Sequence, residues 1–310
     1  MKISIVTPTF NSASYLEETI LSVIAQKNQD LEYLVVDGGS SDSSSDVLSK
    51  YSSQIQWSCS ERDNGQYDAI NKGFSKSTGE IMGWLNSSDL YLPWTLKVVE
   101  EIFTRLPEVQ WISSLQKTVL TVQGSHASWN IHGFSANKFA QGLLGSATNA
   151  NFIQQETCFW RRSLWEKIGG QISSQYRYAG DFWLWSQFFQ HAKCTGVDAP
   201  LAVFRFHEDQ RSGDEKYMRE VTTILQEIES SGKRHLYKPG CQNIQPRWRF
   251  TLSEGGHTEW VMVKYFDDWY LDIVTIWDEF LDSIKWKLAN LSYLPISLLK
   301  FIKRGCKRVR

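Results

Sequence analysis

Gly83-Trp84-Leu85-Asn86-Ser87-Ser88-Asp89, followed by Leu90-Tyr91-Leu92-Pro93, decides the fold. Ile81 to Leu85 is an apolar run of strand length that passes into polar residues ending in a carboxylate, and Pro93 then opens a helix. In an open α/β sheet, ligands bind in the crevice beyond the carboxyl ends of the strands. A carboxylate placed there suits a hard divalent cation held against a diphosphate, so Asp89 is a candidate ligand for Mg2+ or Mn2+. Asn, Ser and Asp also cap helices well, and a plain helix N-terminal turn is the alternative for this stretch.

Outward from there the chain alternates strand and helix. Ile3 to Thr7 is unbroken and β-rich, the pattern of a strand buried on both faces. Ser14 and Glu17 read as a capping box, and Leu16, Ile20, Val23 and Ile24 recur at helical spacing. Glu32 to Val36 is a second strand, ending at Asp37-Gly38-Gly39-Ser40-Ser41-Asp42. A helix through Val47, Leu48 and Tyr51 precedes a third strand near Ile55 to Ser60. Asp63 to Gly73 is a loop and helix, and Leu96, Val99, Phe103 and Leu106 mark a helix closed by Pro107. This rhythm predicts an α/β fold with a mostly parallel sheet flanked by helices and with ligand loops along one edge. Thr7-Pro8-Thr9, Asp37 to Ser40, Asp63 to Asp68 and Asn86 to Asp89 all follow strands and are expected to meet. Asp37 can accept from a base N–H or a ribose hydroxyl, and Gly38 and Gly39 let backbone approach a ligand or take positive φ.

At 310 residues and 42% hydrophobic, the chain suffices for one large domain or two smaller ones. A net charge of -1 gives no global case for nucleic acid. Five scattered cysteines without a CxxC pair suit reduced thiols better than disulfides or zinc. Met1 to Val6 is too short an apolar run for a signal peptide, which reads as a cytoplasmic start, and no stretch reaches the roughly eighteen apolar residues of a membrane span.

The second half is less regular. Residues 111–133 read as β-rich, Ser135 to Leu144 as a helix, Phe152 to Trp160 as a strand, and Arg161 to Trp165 as the start of another helix. Tyr178-Ala179-Gly180-Asp181 places Asp181 in the first turn of a helix whose apolar face runs through Phe182, Trp185, Phe188 and Phe189. As an N-cap alone Asp181 would stabilise that helix by about 1 kcal/mol. In Phe204-Arg205-Phe206-His207-Glu208-Asp209-Gln210-Arg211, the arginine Arg211 can meet a phosphate bidentately or stand as a solvated rim charge. A polar helix is predicted from Asp214 to Ser231, and residues 233–256 read as a linker or small hairpin. Phe266, Trp269, Tyr270, Ile273, Trp277, Phe280, Leu281, Ile284 and Leu288 recur at helical spacing, predicting a C-terminal helical extension that packs on the core or makes a homo-oligomer contact. From Lys285 there is no acidic residue, while Lys300, Lys303, Arg304, Lys307, Arg308 and Arg310 flank Leu298, Leu299, Phe301 and Ile302. Such an end can lie in a membrane interface or be a solvated basic tail.

Four segments, Ser4-Ile5-Val6-Thr7-Pro8-Thr9-Phe10-Asn11, Val35-Val36-Asp37-Gly38-Gly39-Ser40-Ser41-Asp42, Tyr67-Asp68-Ala69-Ile70-Asn71-Lys72-Gly73 and Trp84-Leu85-Asn86-Ser87-Ser88-Asp89, together resemble glycosyltransferase family 2. The resemblance covers residues 1 to 215 or so and implies a GT-A (Rossmann-like) fold, a nucleotide diphosphate sugar donor with a UDP-sugar foremost, a divalent metal, and inversion at the anomeric carbon. It divides the matched part into a nucleotide-sugar half (1–110) and an acceptor and catalytic half (111–232); the helical extension (233–310), membrane-associating or ending in a solvated basic tail, is read from its own residues. By the same analogy Thr7, Asp37 and Asp68 hold the nucleoside, and Pro8, Asn11, Gly38, Gly39, Lys72, Asn86, Gln155 and Arg211 complete the donor site. Asp89, the last carboxylate of the DxD motif, and His207 fall to the metal. Asp181 becomes the general base, with Glu156 in reserve; a sugar hydroxyl is a poor nucleophile, and a positioned base takes its proton as the new bond forms. The implied role is transfer to a glycan or lipid-linked glycan in cell-surface polysaccharide synthesis, in the cytoplasm and at the inner face of the membrane. Asn86 stands where many members have Asp, and Ser88 where a second Asp is common, which bears on metal affinity more than on fold. A scaffold that binds nucleotide sugars but has lost catalysis is the competing reading.

Overall fold

The structure is a computed structural model that describes residues 1–26, 28, 30–121, 124–144, 152–207, 215–245, 249–252, 258–261 and 270–274. Residues 1–273 form one compact unit, and residues 274–310 form a second of which only Val274 is described.

The first half follows the predicted alternation. Strand β1 (Ile3–Thr9) leads to helix α1 (Ala13–Ile24), β2 (Leu31–Asp37), α2 (Ser44–Lys50), β3 (Trp57–Ser60), α3 (Gln66–Lys76), β4 (Ile81–Trp84), the short β5 (Leu90–Tyr91) and α4 (Thr95–Arg105). The second half contributes β6 (Trp111–Ser114), β7 (Gln116–Thr121), β8 (His126–Asn130), α5 (Ala136–Ala140), β9 (Phe159–Arg161), α6 (Arg162–Lys167), α7 (Gly180–His191), β10 (Cys194–Val197), β11 (Ala202–Phe206) and α8 (Glu215–Ser230). Four further strands follow: β12 (Cys241–Gln245), β13 (Arg249–Leu252), β14 (Thr258–Val261) and β15 (Tyr270–Val274).

Among the described residues the main sheet has nine strands in the order β15-β12-β10-β6-β9-β4-β1-β2-β3. The pairs β1–β2, β1–β4, β2–β3, β6–β10 and β10–β12 are parallel, and β9 runs antiparallel between β4 and β6. A smaller sheet has the order β5-β11-β7-β8, and β13 pairs with β14 alone. The expected GT-A-like α/β architecture is therefore present.

Strand periodicity explains the two layers of core. Ile3, Ile5, Tyr33, Val35, Ile81 and Phe159 point to one face, where Leu16, Ile20 and Val23 of α1 and Leu96, Val99 and Ile102 of α4 cover them. Val6, Leu34, Val36, Met82, Trp84 and Trp160 point to the other face, under Ile70 and Phe74 of α3 and Trp185 and Phe188 of α7. Successive residues of a strand face opposite ways, so an unbroken apolar run is required wherever helices cover both sides. On the α7 face the Trp84 and Trp185 rings stack with centroids 5.9 Å apart, and Trp111 stacks on Trp185 at 5.3 Å. Offset aromatic pairs of this kind contribute about 0.5–1.5 kcal/mol each beyond the area they bury.

Four local readings differ from expectation. The Ser14–Glu17 capping box does not form: α1 is capped from outside, its Ala13 N–H donating to Asp42 Oδ2 at 2.9 Å, while Glu17 accepts from Lys50 and Tyr51. The apolar run from Phe152 is strand only at β9, because Gln155–Thr157 closes into a single 3-10 turn with all three side chains buried. Cys241–Gln245, read as linker or hairpin, joins the sheet beside β10, with Ile244 fully buried. Tyr270–Val274 is strand where the longer apolar stripe predicted helix; Tyr, Ile and Val in this short window favour extended backbone. The remainder of that stripe and the basic end from Lys300 lie outside the described residues. Among the described residues no helix is long and apolar enough to cross a membrane.

Candidate active site

The carboxyl ends of β1, β2 and β3 are in register, Thr9 opposite Asp37 and Asp37 opposite Ser60, and β4 ends beside Val6 of β1. The four predicted loops therefore leave one edge of the sheet. Buried Asp37 accepts from the Ser40 and Ser60 hydroxyls and the Ser40 N–H, which ties the β2 and β3 ends together. Gly39 takes φ +82, which requires glycine, and at Gly38 a Cβ would stand 2.7 Å from Asp63 Oδ2, so that carboxylate packs close against the backbone there. Asn11, at φ 48, accepts the Ser41 N–H at 2.8 Å and braces the same loop. Pro8 is buried in β1 and Thr7 is buried on the α1 side, where its hydroxyl accepts from Tyr33 at 3.1 Å. Its neighbour two places on, Thr9, has a buried hydroxyl without a hydrogen-bond partner among the described residues. Asp68 accepts from Asn64 N–H at 2.9 Å and closes the loop into α3, and Lys72 pairs with Glu61 at 2.8 Å.

The loop after β4 is held from three directions. Asn86 donates to Asp89 Oδ2 at 3.2 Å and to Gln155 Oε1 at 3.0 Å, and it accepts from Gln66 at 2.7 Å. Gln155 in turn donates to the Trp84 carbonyl at 2.8 Å. Asp89 Oδ1 accepts the Arg205 N–H at 3.1 Å, which brings the end of β11 against the end of β4. His207, two residues further on, lies with Nε2 3.3 Å from Ser88 Oγ and its ring against Tyr15. The Arg205 guanidinium turns away to Glu18 and the Tyr15 ring. Arg211 lies outside the described residues.

Asp89 is 1% exposed, and burial followed by the nearby Glu156 charge pushes its proton affinity well above the ordinary carboxylate range. Burial does the same to Glu156, with the charge of Asp181 adding to it and Lys117 opposing. Two buried carboxyls of raised proton affinity are stabilised by a proton or a cation. Each Asp89 oxygen spends one of its two acceptor positions on the bonds above, leaving room for a cation. Among the described residues no three His, Cys, Asp or Glu side chains gather into a metal-binding set. A cation on Asp89 would thus fill its shell with phosphate oxygens and water, which is how Mg2+ is commonly held.

Asp181 stands in the first turn of α7 and is only partly exposed. Its Oδ1 accepts the Phe182 N–H at 2.8 Å and the Tyr67 hydroxyl at 3.2 Å. Burial raises its pKa to about 6 despite these two bonds, a value suited to a base at neutral pH. Tyr67 and Gln66 are consecutive residues at the start of α3, and they reach the two acidic centres separately, Tyr67 to Asp181 and Gln66 through Asn86 to Asp89. Tyr67 lay inside a quoted motif, yet nothing in its sequence context marks it as the partner of a residue more than a hundred positions away. Gln66 lay in the strand-end loop Asp63 to Asp68 and Arg205 in the Arg-x-His ending at His207, but nothing in either stretch marks the contacts with Asn86 and Asp89.

The family model for glycosyl transferase family 2 matches residues 4–169. An uncharacterised glycosyltransferase of Nostoc sp. is 37% identical over 33% of this chain and 33% of its own length, and one of Rickettsia typhi is 26% identical over 67% and 65%. The chain thus spans between a third and about two-thirds of these curated relatives. Among solved structures, Staphylococcus aureus TarS residues 1–349 in complex with UDP-GlcNAc aligns over 76% of this chain and 70% of that one at 17% identity and a TM-score of 0.59. A mannosyltransferase of Pyrobaculum calidifontis in complex with GDP-Man and Mn2+ aligns over 68% and 58% at 18% identity and a TM-score of 0.50. At these identities the two structures speak for the fold. With more than half of its residues under the family model and all four motifs on one sheet edge, the chain belongs to glycosyl transferase family 2.

Proposed function

We propose that the protein moves a sugar from a nucleotide diphosphate sugar to a hydroxyl of a glycan or lipid-linked glycan by single displacement. The acceptor oxygen attacks the anomeric carbon from the Asp181 side and loses its proton to that carboxylate. The bond to the diphosphate breaks, its electron pair leaves on the phosphate oxygen, and the anomeric configuration inverts. A divalent cation held by Asp89, with His207 beside it, would offset the charge of the leaving diphosphate. Asp37 and Thr9 line the nucleoside end, and Gln155 and Asn86 orient the donor between the two acidic centres. Supporting this reading is one relationship above all: neighbouring side chains of α3 contact Asp181 directly and Asp89 through Asn86. The bound UDP-GlcNAc and GDP-Man of the structural relatives support a nucleotide sugar as donor.

Thermal-shift screening against UDP- and GDP-sugars with MnCl2 tests donor binding, since a ligand selective for the folded state raises its melting temperature. Stabilisation by at least one nucleotide sugar, with release of its nucleoside diphosphate, supports transfer. Stabilisation without release would favour the catalytically lost scaffold that Asn86 and Ser88 suggest. We also place the protein at the cytoplasmic membrane face through residues 295–310. Deleting them is expected to abolish sedimentation with anionic vesicles, and unaltered sedimentation would refute that placement.

A further inference from the structure

The segment that delivers Asp181 to the site is gripped by a carboxylate from a different part of the chain. Glu220, on α8, accepts three consecutive backbone N–H groups: Arg177 at 3.0 Å on Oε1, and Tyr178 at 2.8 Å and Ala179 at 2.7 Å on Oε2. These residues lead into α7 immediately before Gly180 and Asp181. From the opposite side, the Tyr67 hydroxyl donates to the Tyr178 carbonyl at 3.0 Å and contacts Asp181 Oδ1. Glu227, two helical turns along α8, accepts from Tyr176 at 2.6 Å and extends the same contact. The entry to α7 therefore sits between α3 and α8, with every backbone N–H from 177 to 179 committed to one side chain. Charge-assisted bonds from a carboxylate to backbone N–H are about twice as strong as neutral ones, so this is a stiff attachment.

We propose that Glu220 is a positioning residue for the transfer reaction: by collecting the N–H groups of 177–179 it fixes the angle at which Asp181 meets the acceptor hydroxyl. This rests on the assignment of Asp181 as the base. Glu220 acts on Asp181 in two separable ways, through the backbone it holds and through its negative charge. Among the described residues, the charged and titratable groups facing Asp181 are Tyr67 from α3, Glu156 from the turn before β9, Cys158 at the end of that turn, and Tyr217 and Glu220 from α8, with Lys216 against the Tyr178 ring. Of these Glu220 supplies both a like charge and the backbone contact.

The two roles come apart in a pair of variants. Glu220→Gln removes the charge and turns an N–H2 group toward N–H donors, whereas Glu220→Asp keeps the charge and loses the reach. The readout is the rate of UDP release from UDP-GlcNAc in the full chain with MnCl2, followed against pH, together with the 13C titration of the Asp181 carboxyl. Both variants are expected to lose roughly ten- to a hundredfold in kcat, because sub-ångström to ångström misplacement of a reacting group costs that much, with donor KM within about twofold of the parent. For Glu220→Gln the acid limb of the profile and the Asp181 titration move to lower pH; for Glu220→Asp they stay in place. A residue that merely docks α8 would lower the melting temperature of both variants and leave kcat, measured below that temperature, within about twofold of the parent. The proposal is overturned if kcat of both variants stays within about twofold of the parent, or if the Asp181 titration is the same in Glu220→Gln. Should Glu220→Gln fail to fold, kcat and KM of Glu220→Asp decide the matter; should water be too poor an acceptor to give a rate, the 13C titrations decide it. Asp181→Asn run alongside separates the two assignments: full activity there refutes the base itself, while its loss beside unaffected Glu220 variants refutes only the positioning role.

Discussion

Tyr67 holds its hydroxyl 3.2 Å from Asp181 Oδ1 and 3.0 Å from the Tyr178 carbonyl, so one side chain of α3 fixes both the carboxylate and the turn that carries it. The bond to Asp181 opposes the rise in proton affinity that burial imposes. In Tyr67→Phe that opposition is gone, and the acid limb of the pH–rate profile is expected to move upward. Loss of a bond worth about 1 kcal/mol corresponds to roughly a fivefold fall in rate on that acid limb, shrinking toward the plateau at higher pH. A limb that stays put, or moves down, contradicts the assignment.

Asp181→Asn is expected to bind donor and lose turnover. Stability gives an independent check, because the folded-state pKa of about 6 lies above the unfolded value of 3.8. A carboxyl whose affinity for the proton rises on folding penalises the native state above its folded pKa, and the penalty vanishes below the unfolded one. The Asn variant should therefore be more stable than the parent at pH 8, by on the order of 2 kcal/mol, and gain little at pH 4. Denaturant titrations at the two pH values measure this.

Asp89→Asn removes a buried charge whose protonation is favoured by burial and by Glu156. Without metal, the variant is expected to melt higher than the parent at pH 8. With MnCl2 the order should reverse in the presence of UDP, because only the parent gains from joint binding of cation and diphosphate. Equal Mn2+ dependence in the two proteins would remove Asp89 from the metal site.

Gly180 has no room for a side chain: an added Cβ would lie 2.7 to 2.9 Å from three carbons of the Tyr67 ring. Gly180→Ala must displace that ring, costing about 1–3 kcal/mol by overpacking. Because the same ring carries the hydroxyl that meets Asp181, kcat should fall along with the denaturation midpoint. A variant destabilised but fully active would uncouple the two.

The inner parallel strands β1, β2 and β4 were legible because they are covered on both faces, which forces nearly continuous buried runs: Tyr33–Val36 is wholly apolar, and Ile3–Val6 is broken only by Ser4. The strand-end loops were legible for the same reason, since each follows such a run. Side-chain commitments inside the site were not. Thr7 and Thr9 look alike in sequence, yet Thr7 accepts from Tyr33 of β2, while Thr9, in register with Asp37, has a buried hydroxyl without a hydrogen-bond partner among the described residues. Glu220 was hidden because a carboxylate on an exposed-looking helix gives no sign that it will accept three N–H groups from a loop some forty residues earlier. Gln155–Thr157 escaped because an apolar run reads as strand whether or not a single tight turn interrupts it.

Single displacement between a base on one side of the sugar and a leaving diphosphate on the other is tested most directly by the configuration of the first-formed product. Real-time 1H NMR of UDP-GlcNAc turnover, or of whichever nucleotide sugar stabilises the protein most, reads the anomeric proton before mutarotation. The β anomer should accumulate first from an α-linked donor, and initial release of the α anomer would contradict the placement of Asp181 opposite the Asp89 side.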